Sequence, residues 1–212
     1  TVRHVTEFTS FDGEMAWIES QEDVLRVLEG AVVGAIDAVR TKAKSALDLL
    51  HANPSVPRLP LRRVPYPEAL EILRSRGKRV RDGEDIDTEG EKALGAALAK
   101  EGHEMFFLTD YPTAIKPFYI MSHSDDPEVS ASFDLEYKGD EMASGGQREN
   151  RYDVLVAKMR GKGLSPEGFD VPSSAFRAPR STLHAHRPGH SLAVAVPGEN
   201  QRGIDHPGGN AK

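Results

Sequence analysis

Residues 133–150 read FDLEYKGDEMASGGQREN, from Phe133 to Asn150, and they combine a strand pattern with an unusual cluster of polar groups. The first part alternates apolar and polar side chains, so a strand is expected over about Ala131–Tyr137. The second part, 140–150, reads as a glycine-flanked loop. A plain turn needs Gly145 and Gly146 but not Glu141, Ser144, Gln147 and Arg148 around them. Arg148 can grip a carboxylate or phosphate through two parallel hydrogen bonds. Glu141 can hold a hard cation such as Mg²⁺, which takes one or two protein carboxylates and leaves its other positions to phosphate and water. The paired glycines let the backbone come close to a ligand. On residue types alone two readings stand: a nucleotide or carboxylate site, and a structural turn with a surface arginine.

Downstream, Tyr152, Leu155, Val156 and Met159 share one face of an expected helix over about Arg151–Arg160. Upstream, strands are expected at Met105–Thr109 and Lys116–Met121. The strongest periodicity runs through Leu25, Leu28, Val32, Ile36, Val39, Ala43, Leu47 and Leu50, at spacings of three and four. It predicts one long amphipathic helix, opened by the capping pair Ser20 and Asp23 and ended by Asn53-Pro54. Pro67 opens a second helix that Gly77 stops, and Thr88 with Glu91 cap a third that ends at Gly102. Val5, Phe8, Phe11, Met15 and Trp17 give residues 4–18 the look of a strand or hairpin arm. The sum is an α+β chain, a mainly antiparallel sheet flanked by helices. Residues 1–170 form the folded part. Residues 171–212 are expected to be a divergent, disordered tail, because 164–212 holds six of the 14 prolines and four of the 8 histidines with little apolar periodicity.

The 212 residues carry a net charge of −6, so a nucleic-acid partner needs a local basic patch. RSRGKRVR (74–81) has five basic residues in eight, read first as a solvated face and second as a contact for a tRNA backbone. With no cysteine, disulfides and thiolate metal sites are excluded, and a reducing cytoplasm is the natural compartment. No apolar run approaches the roughly 20 residues that span a bilayer. The chain lacks an initiating Met and starts inside a strand pattern, which is read as the mark of a fragment.

Four ordered blocks carry a resemblance: RHVTEFTSFDGEMA (3–16), GEDIDTEGE (83–91), YPTAIKPFYIM (111–121) and FDLEYKGDEMASGGQREN (133–150). The first is similar to the second half of motif 2 of class II aminoacyl-tRNA synthetases. Together, over residues 1 to about 170, they resemble the catalytic domain of subclass b aspartyl-tRNA synthetases of archaeal and eukaryotic type. The resemblance implies ATP and Mg²⁺ as cofactors, with L-aspartate and tRNA(Asp) as partners; tRNA(Asn) stays open. It implies a cytoplasmic enzyme that is a homodimer when intact, with no membrane partner. Arg3, His4, Val5 and Phe8 then match ATP-binding positions, Phe8 as the aromatic stacked on adenine. Asp12 matches the acid that receives the α-amino group of the amino acid; alternation sets Glu14 on the same strand face. Glu141 matches the residue that binds ATP and Mg²⁺, with Ser144 as a second metal-site residue. Ser144 and Arg148 match amino-acid positions, Arg148 gripping the side-chain carboxylate of aspartate. The implied chemistry needs no protein nucleophile, so no catalytic residue is expected.

The chain also departs from this pattern. No Glu-Arg pair of the motif 3 kind occurs anywhere in it, Val2 stands where threonine is common, and Asn150 where histidine is common. A reading-frame change is the expected origin of the tail, and the chain alone is expected to be inactive. Competing readings are an asparaginyl-tRNA synthetase, an ammonia-dependent asparagine synthetase of the same fold, and a non-enzymatic fragment.

Overall fold

The computed structural model describes residues 9–169 and 190–196. In chain order the strands are β1 (Thr9–Met15), β2 (Arg62–Pro65), β3 (Met105–Thr109), β4 (Ser132–Tyr137), β5 (Asp140–Gln147) and β6 (His190–Val196). The helices are α1 (Gln21–Lys42), α2 (Lys44–Leu49), α3 (Tyr66–Ser75), α4 (Thr88–Ala99) and α5 (Tyr152–Gly161). The strands form one sheet in the order β1-β6-β5-β4-β3-β2. Every neighbouring pair is antiparallel except β2 and β3. The expected α+β sheet, mainly antiparallel and flanked by helices, is therefore present.

Alternation on β3 divides the core between the two faces of the sheet. Phe107 points to the side where α1 packs with Leu25 and Leu28, joined by Phe133 and Leu135 of β4. Phe106 and Leu108 point to the other side, against Leu70 and Leu73 of α3 and Leu94 and Leu98 of α4. Between α1 and β2, Arg63 acts as a tie. Its guanidinium donates to Glu29 Oε2 at 2.5 Å and to Glu22 Oε1 at 2.7 Å, and it lies 5.0 Å from the Phe107 ring centre. Glu29 also accepts from the Leu61 amide at 2.9 Å, although it is only 5% exposed. Burial opposes the charge on Arg63, but the two carboxylates outweigh it and its pKa is raised.

Helix ends follow local chemistry. Ser20 accepts from the Glu22 amide, and Asp23 reaches back to the amides of Ser20 and Glu19, as the capping pair predicts. For α4 the cap lies one residue earlier than expected: Asp87, not Thr88, accepts from Gly90 N at 2.7 Å. The helix expected to run to Leu50 breaks at Ala43, and its apolar stripe is buried only in its first half. Leu49 and Leu50 are 80% and 61% exposed, so periodicity there does not mark core. An apolar groove of about 630 Å³ runs between α1 and β1, with Phe11, Val27, Val39 and Met142 on its walls.

Three further differences concern the neighbourhood of the site. Residues 140–147 are a strand, not a loop, and the turn is Lys138-Gly139, with φ of 55° and 85° at the two positions. Positive φ at both fits a two-residue hairpin turn. Lys116–Met121 is not a strand. Pro117 cannot donate to a ladder, and the segment contributes only the isolated bridge Ile120↔Arg148, with Ser122↔Ser130 just beyond it. Within the expected tail, His190–Val196 is a strand inserted between β1 and β5. The rest of that tail, residues 171–189 and 197–212, lies outside the described residues.

Gly95 and Gly139 bring α4 against the β4–β5 turn. A Cβ on Gly95 would lie 2.7 Å from Gly139 Cα, and one on Gly139 would lie 2.6 Å from Lys92 Cα.

Glu29→Ala is expected to destabilise the chain by about 3 kcal/mol, because it removes one of the two carboxylates paired with a half-buried guanidinium and leaves the buried Leu61 amide without its acceptor. Glu89→Ala, which breaks the exposed pair with Lys78, should change stability by less than about 1 kcal/mol. Urea unfolding of both variants provides the comparison, and equal losses would show that the Arg63 tie is not special.

Candidate active site

A cleft of about 310 Å³ opens on the α4 side of the sheet. That is at the small end of the range for small-molecule sites, roughly 300–1,000 Å³. Its floor is made by β4 and β5, where Asp134 is paired with Ser144 and Ser132 with Gly146. Glu141 also faces it. In a regular strand Glu141 and Ser144, three residues apart, would face opposite sides. The register shifts between Leu135 and Glu136: Leu135 pairs with Ala143, but Glu136 pairs with Glu141. Met142 is the extra residue of a β-bulge, and the bulge brings both oxygen-bearing side chains to one face. Lys116, Tyr119 and Ile120 form one wall; Asp85 and Glu91 form the other.

Arg148 follows β5 at the mouth. Its Nη2 donates to Glu14 Oε1 at 2.8 Å, and the guanidinium lies 5.7 Å from the centre of the Tyr119 ring. Its Nε is buried and has no hydrogen-bond partner among the described residues. Such a donor costs about 1–3 kcal/mol until an acceptor arrives. The Glu14 pair is 44% and 68% exposed, so an incoming anion displaces it at little cost. Lys116 Nζ sits 3.1 Å from Asp134 Oδ2 and 3.5 Å from the centre of the Tyr111 ring. Burial, then the charges of Asp134 and Glu136, push the Tyr111 phenol well above its usual pKa, so it stays protonated and can donate to Asp134.

The structure therefore brings Glu141, Ser144 and Arg148 into one cleft. Asp12 is exposed on β1, two residues from Glu14, whose carboxylate reaches Arg148; it does not line the cleft itself. Arg3, His4, Val5 and Phe8 lie outside the described residues. Gly146 serves packing: a Cβ there would lie 2.8 Å from Ile120 Cδ1 and 3.0 Å from Ala131 O. Sequence reading gave no role to Lys116, Tyr119 or Asp134. Asp134 had a visible signal, an acid between the apolar Phe133 and Leu135 of a strand pattern. Lys116 had none beyond its place in YPTAIKPFYIM. The basic run 74–81 is largely neutralised within the chain, through Arg74–Asp82, Lys78–Glu89 and Arg81–Glu84.

The sequence profile of the family "tRNA synthetases class II (D, K and N)" matches residues 1–178. The chain belongs to this family. The aspartate–tRNA(Asp) ligase of Pyrococcus abyssi is 50% identical to this synthetase chain over 177 residues, which is 83% of this chain and 40% of that protein. The aspartyl-tRNA synthetase from Entamoeba histolytica superimposes with a TM-score of 0.82 at 29% identity, over 92% of this chain and 40% of that one. The asparaginyl-tRNA synthetase from Pyrococcus horikoshii, in complex with asparaginyl-adenylate, gives 0.79 at 26% identity, over 92% and 44%. The chain thus spans about 40% of the length of the curated relatives it matches.

Beside Arg148, the Glu149 carboxylate is fully buried. It accepts from the Arg151 amide at 3.1 Å, from Arg151 Nε at 2.8 Å and from Nη2 at 2.9 Å. Burial alone would raise the Glu149 pKa, but these bonds and the charges of Arg151 and Lys158 outweigh it, so the carboxyl titrates below its usual 4.5. A depressed folded-state pKa gives stabilisation that is complete above the unfolded value and is lost as pH falls through the folded one. Glu149→Gln should therefore lower stability at neutral pH and flatten the loss of stability below pH 4.5. Urea midpoints at neutral pH and at about pH 3.5 test this. An acid limb as steep as that of the unaltered chain would assign the sensitivity to another group.

Proposed function

We propose that this chain supplies the amino-acid and magnesium side of an aspartate–tRNA ligase active site. The observation that carries the reading is Arg148: a guanidinium at the mouth of a cleft which, among the described residues, has a buried Nε lacking an acceptor and an exposed carboxylate, Glu14, as its ion-pair partner. A side-chain carboxylate of L-aspartate satisfies both nitrogens at once. Asparagine presents one neutral oxygen and an NH₂ that opposes the donors, so it binds less well.

Glu141 and Ser144 suit Mg²⁺. Among the described residues no cluster of three or more acids or histidines is placed to hold a metal, and Mg²⁺ takes one or two protein carboxylates with water and phosphate oxygens. When bound, the ion neutralises charge on the phosphates of ATP. The reaction proposed for the whole enzyme has two steps. The α-carboxylate of aspartate attacks the α-phosphorus of ATP; a P–O bond forms and pyrophosphate leaves. The terminal ribose hydroxyl of tRNA(Asp) then attacks the acyl carbon, losing its proton as AMP departs. In this chain Arg148 orients the amino acid, the walls exclude water, and no side chain forms a covalent bond. Arg3, His4, Val5 and Phe8 are proposed to hold ATP, and Asp12 the α-amino group. The working assembly is proposed to be a cytoplasmic homodimer. An asparaginyl-tRNA synthetase is the second reading, favoured by the likeness to the Pyrococcus horikoshii enzyme.

Calorimetric titration of the chain with L-aspartate and with L-asparagine distinguishes the two. Aspartate should bind at least about tenfold more tightly, and Arg148→Gln should weaken aspartate by about a hundredfold, the loss of a charge-assisted pair. Tighter binding of asparagine would select the second reading. With no Glu-Arg pair of the motif 3 kind in the sequence, the chain alone should give no aspartate-dependent pyrophosphate exchange.

A further inference from the structure

The wall of the cleft formed by residues 114–122 is irregular, and α5 is what secures it. Two lysines one helical turn apart, Lys158 on α5 and Lys162 at its C-terminal cap, reach to this segment. Lys158 Nζ donates to Ile120 O at 2.6 Å and to Ser122 Oγ at 2.9 Å, and Lys162 Nζ donates to Ala114 O. The same segment is stitched to β5 and its continuation. The Met121 amide donates to Gln147 O at 2.6 Å, the Glu149 amide donates to Tyr119 O at 2.8 Å, and Ile120 bridges Arg148. Ile120 also fills the space that a side chain at 146 would take. Whatever holds Ile120 therefore holds the backbone of Arg148.

Lys158 is 17% exposed, and the buried Glu149 carboxylate lies 4.0 Å from its ammonium. Burial works against the charge on Lys158, and Glu149 opposes that effect. An ammonium kept in such a place with its donors aimed at one loop does little for helix packing and much for loop placement. We propose that Lys158 is a positioning residue for the amino-acid subsite. It fixes Ile120 and, through the Ile120–Arg148 bridge, the guanidinium that meets the substrate carboxylate. This rests on the aspartate reading given above.

The test combines hydrogen exchange with titration on the whole chain. In Lys158→Met, the amides of Met121 and Glu149 should exchange at least about tenfold faster, the worth of one charge-assisted bond. Amides of β3 and β4 should keep their protection. L-aspartate should bind about tenfold more weakly, while Mg-ATP changes by less than about twofold. Lys158→Arg, which keeps the charge and the donors, should restore most of the aspartate affinity. Unchanged exchange at Met121 and Glu149, or equal loss of both ligands, overturns the assignment. If the unaltered chain fails to bind aspartate, the ligase reading falls, while the exchange rates still decide whether Lys158 places the wall. Should Lys158→Met not fold, Lys158→Gln, which removes the ammonium but leaves a polar side chain at the same position, gives the same comparison.

Discussion

The cleft depends on one irregularity in a hairpin. Without the bulge at Met142, strand parity would send Glu141 to the α1 side of the sheet, into an apolar core where an unpaired carboxylate costs several kcal/mol. With it, Glu141, Ser144 and Asp134 share a floor. The tight Lys138-Gly139 turn sets the register at one end of the hairpin, and the Ser132–Gly146 pairing sets it at the other. A one-residue slip anywhere between would turn the oxygen donors inward.

Charge around this floor is managed by pairing rather than by exposure. Lys116 is balanced by Asp134, Arg151 and Lys158 by Glu149, and Arg63 by Glu22 and Glu29. Arg148 is the exception, since its partner Glu14 is mostly in water. That contrast separates the two kinds of site in this molecule. Pairs built on a buried carboxylate hold elements in place, and the arginine whose carboxylate partner lies in water is left able to change partner.

Much of this could be read from the residues, and the gaps have physical causes. Ser20 and Asp23 announced α1 because capping is local, and the grouping of Glu141, Ser144 and Arg148 at one cleft was legible because they lie within eight residues of one another. The strand character of 140–147 was hidden by its glycines, which lower strand propensity but are needed where Gly146 meets Ile120. Lys116–Met121 looked like a strand because its apolar residues cluster, yet Pro117 removes a donor and side chains from α5 replace the missing ladder. The exposure of Leu50 could not be read from its spacing, since periodicity reports a helical face but not what covers it. The strand at 190–196 depends on partners about 50 and 180 residues away in sequence, and no local signal conveys that.

The contact between Gly95 and Gly139 reaches further than packing. The first turn of α4 sets Glu91 on the rim of the cleft, and the helix rests by bare backbone on the turn that starts β5. The gap between the two rims is thus set by the absence of two methyl groups. Adding either would lift the helix off the turn and carry Glu91 away from Glu141. A pair of glycine hydrogens thus gauges the width of the opening through which a ligand must pass.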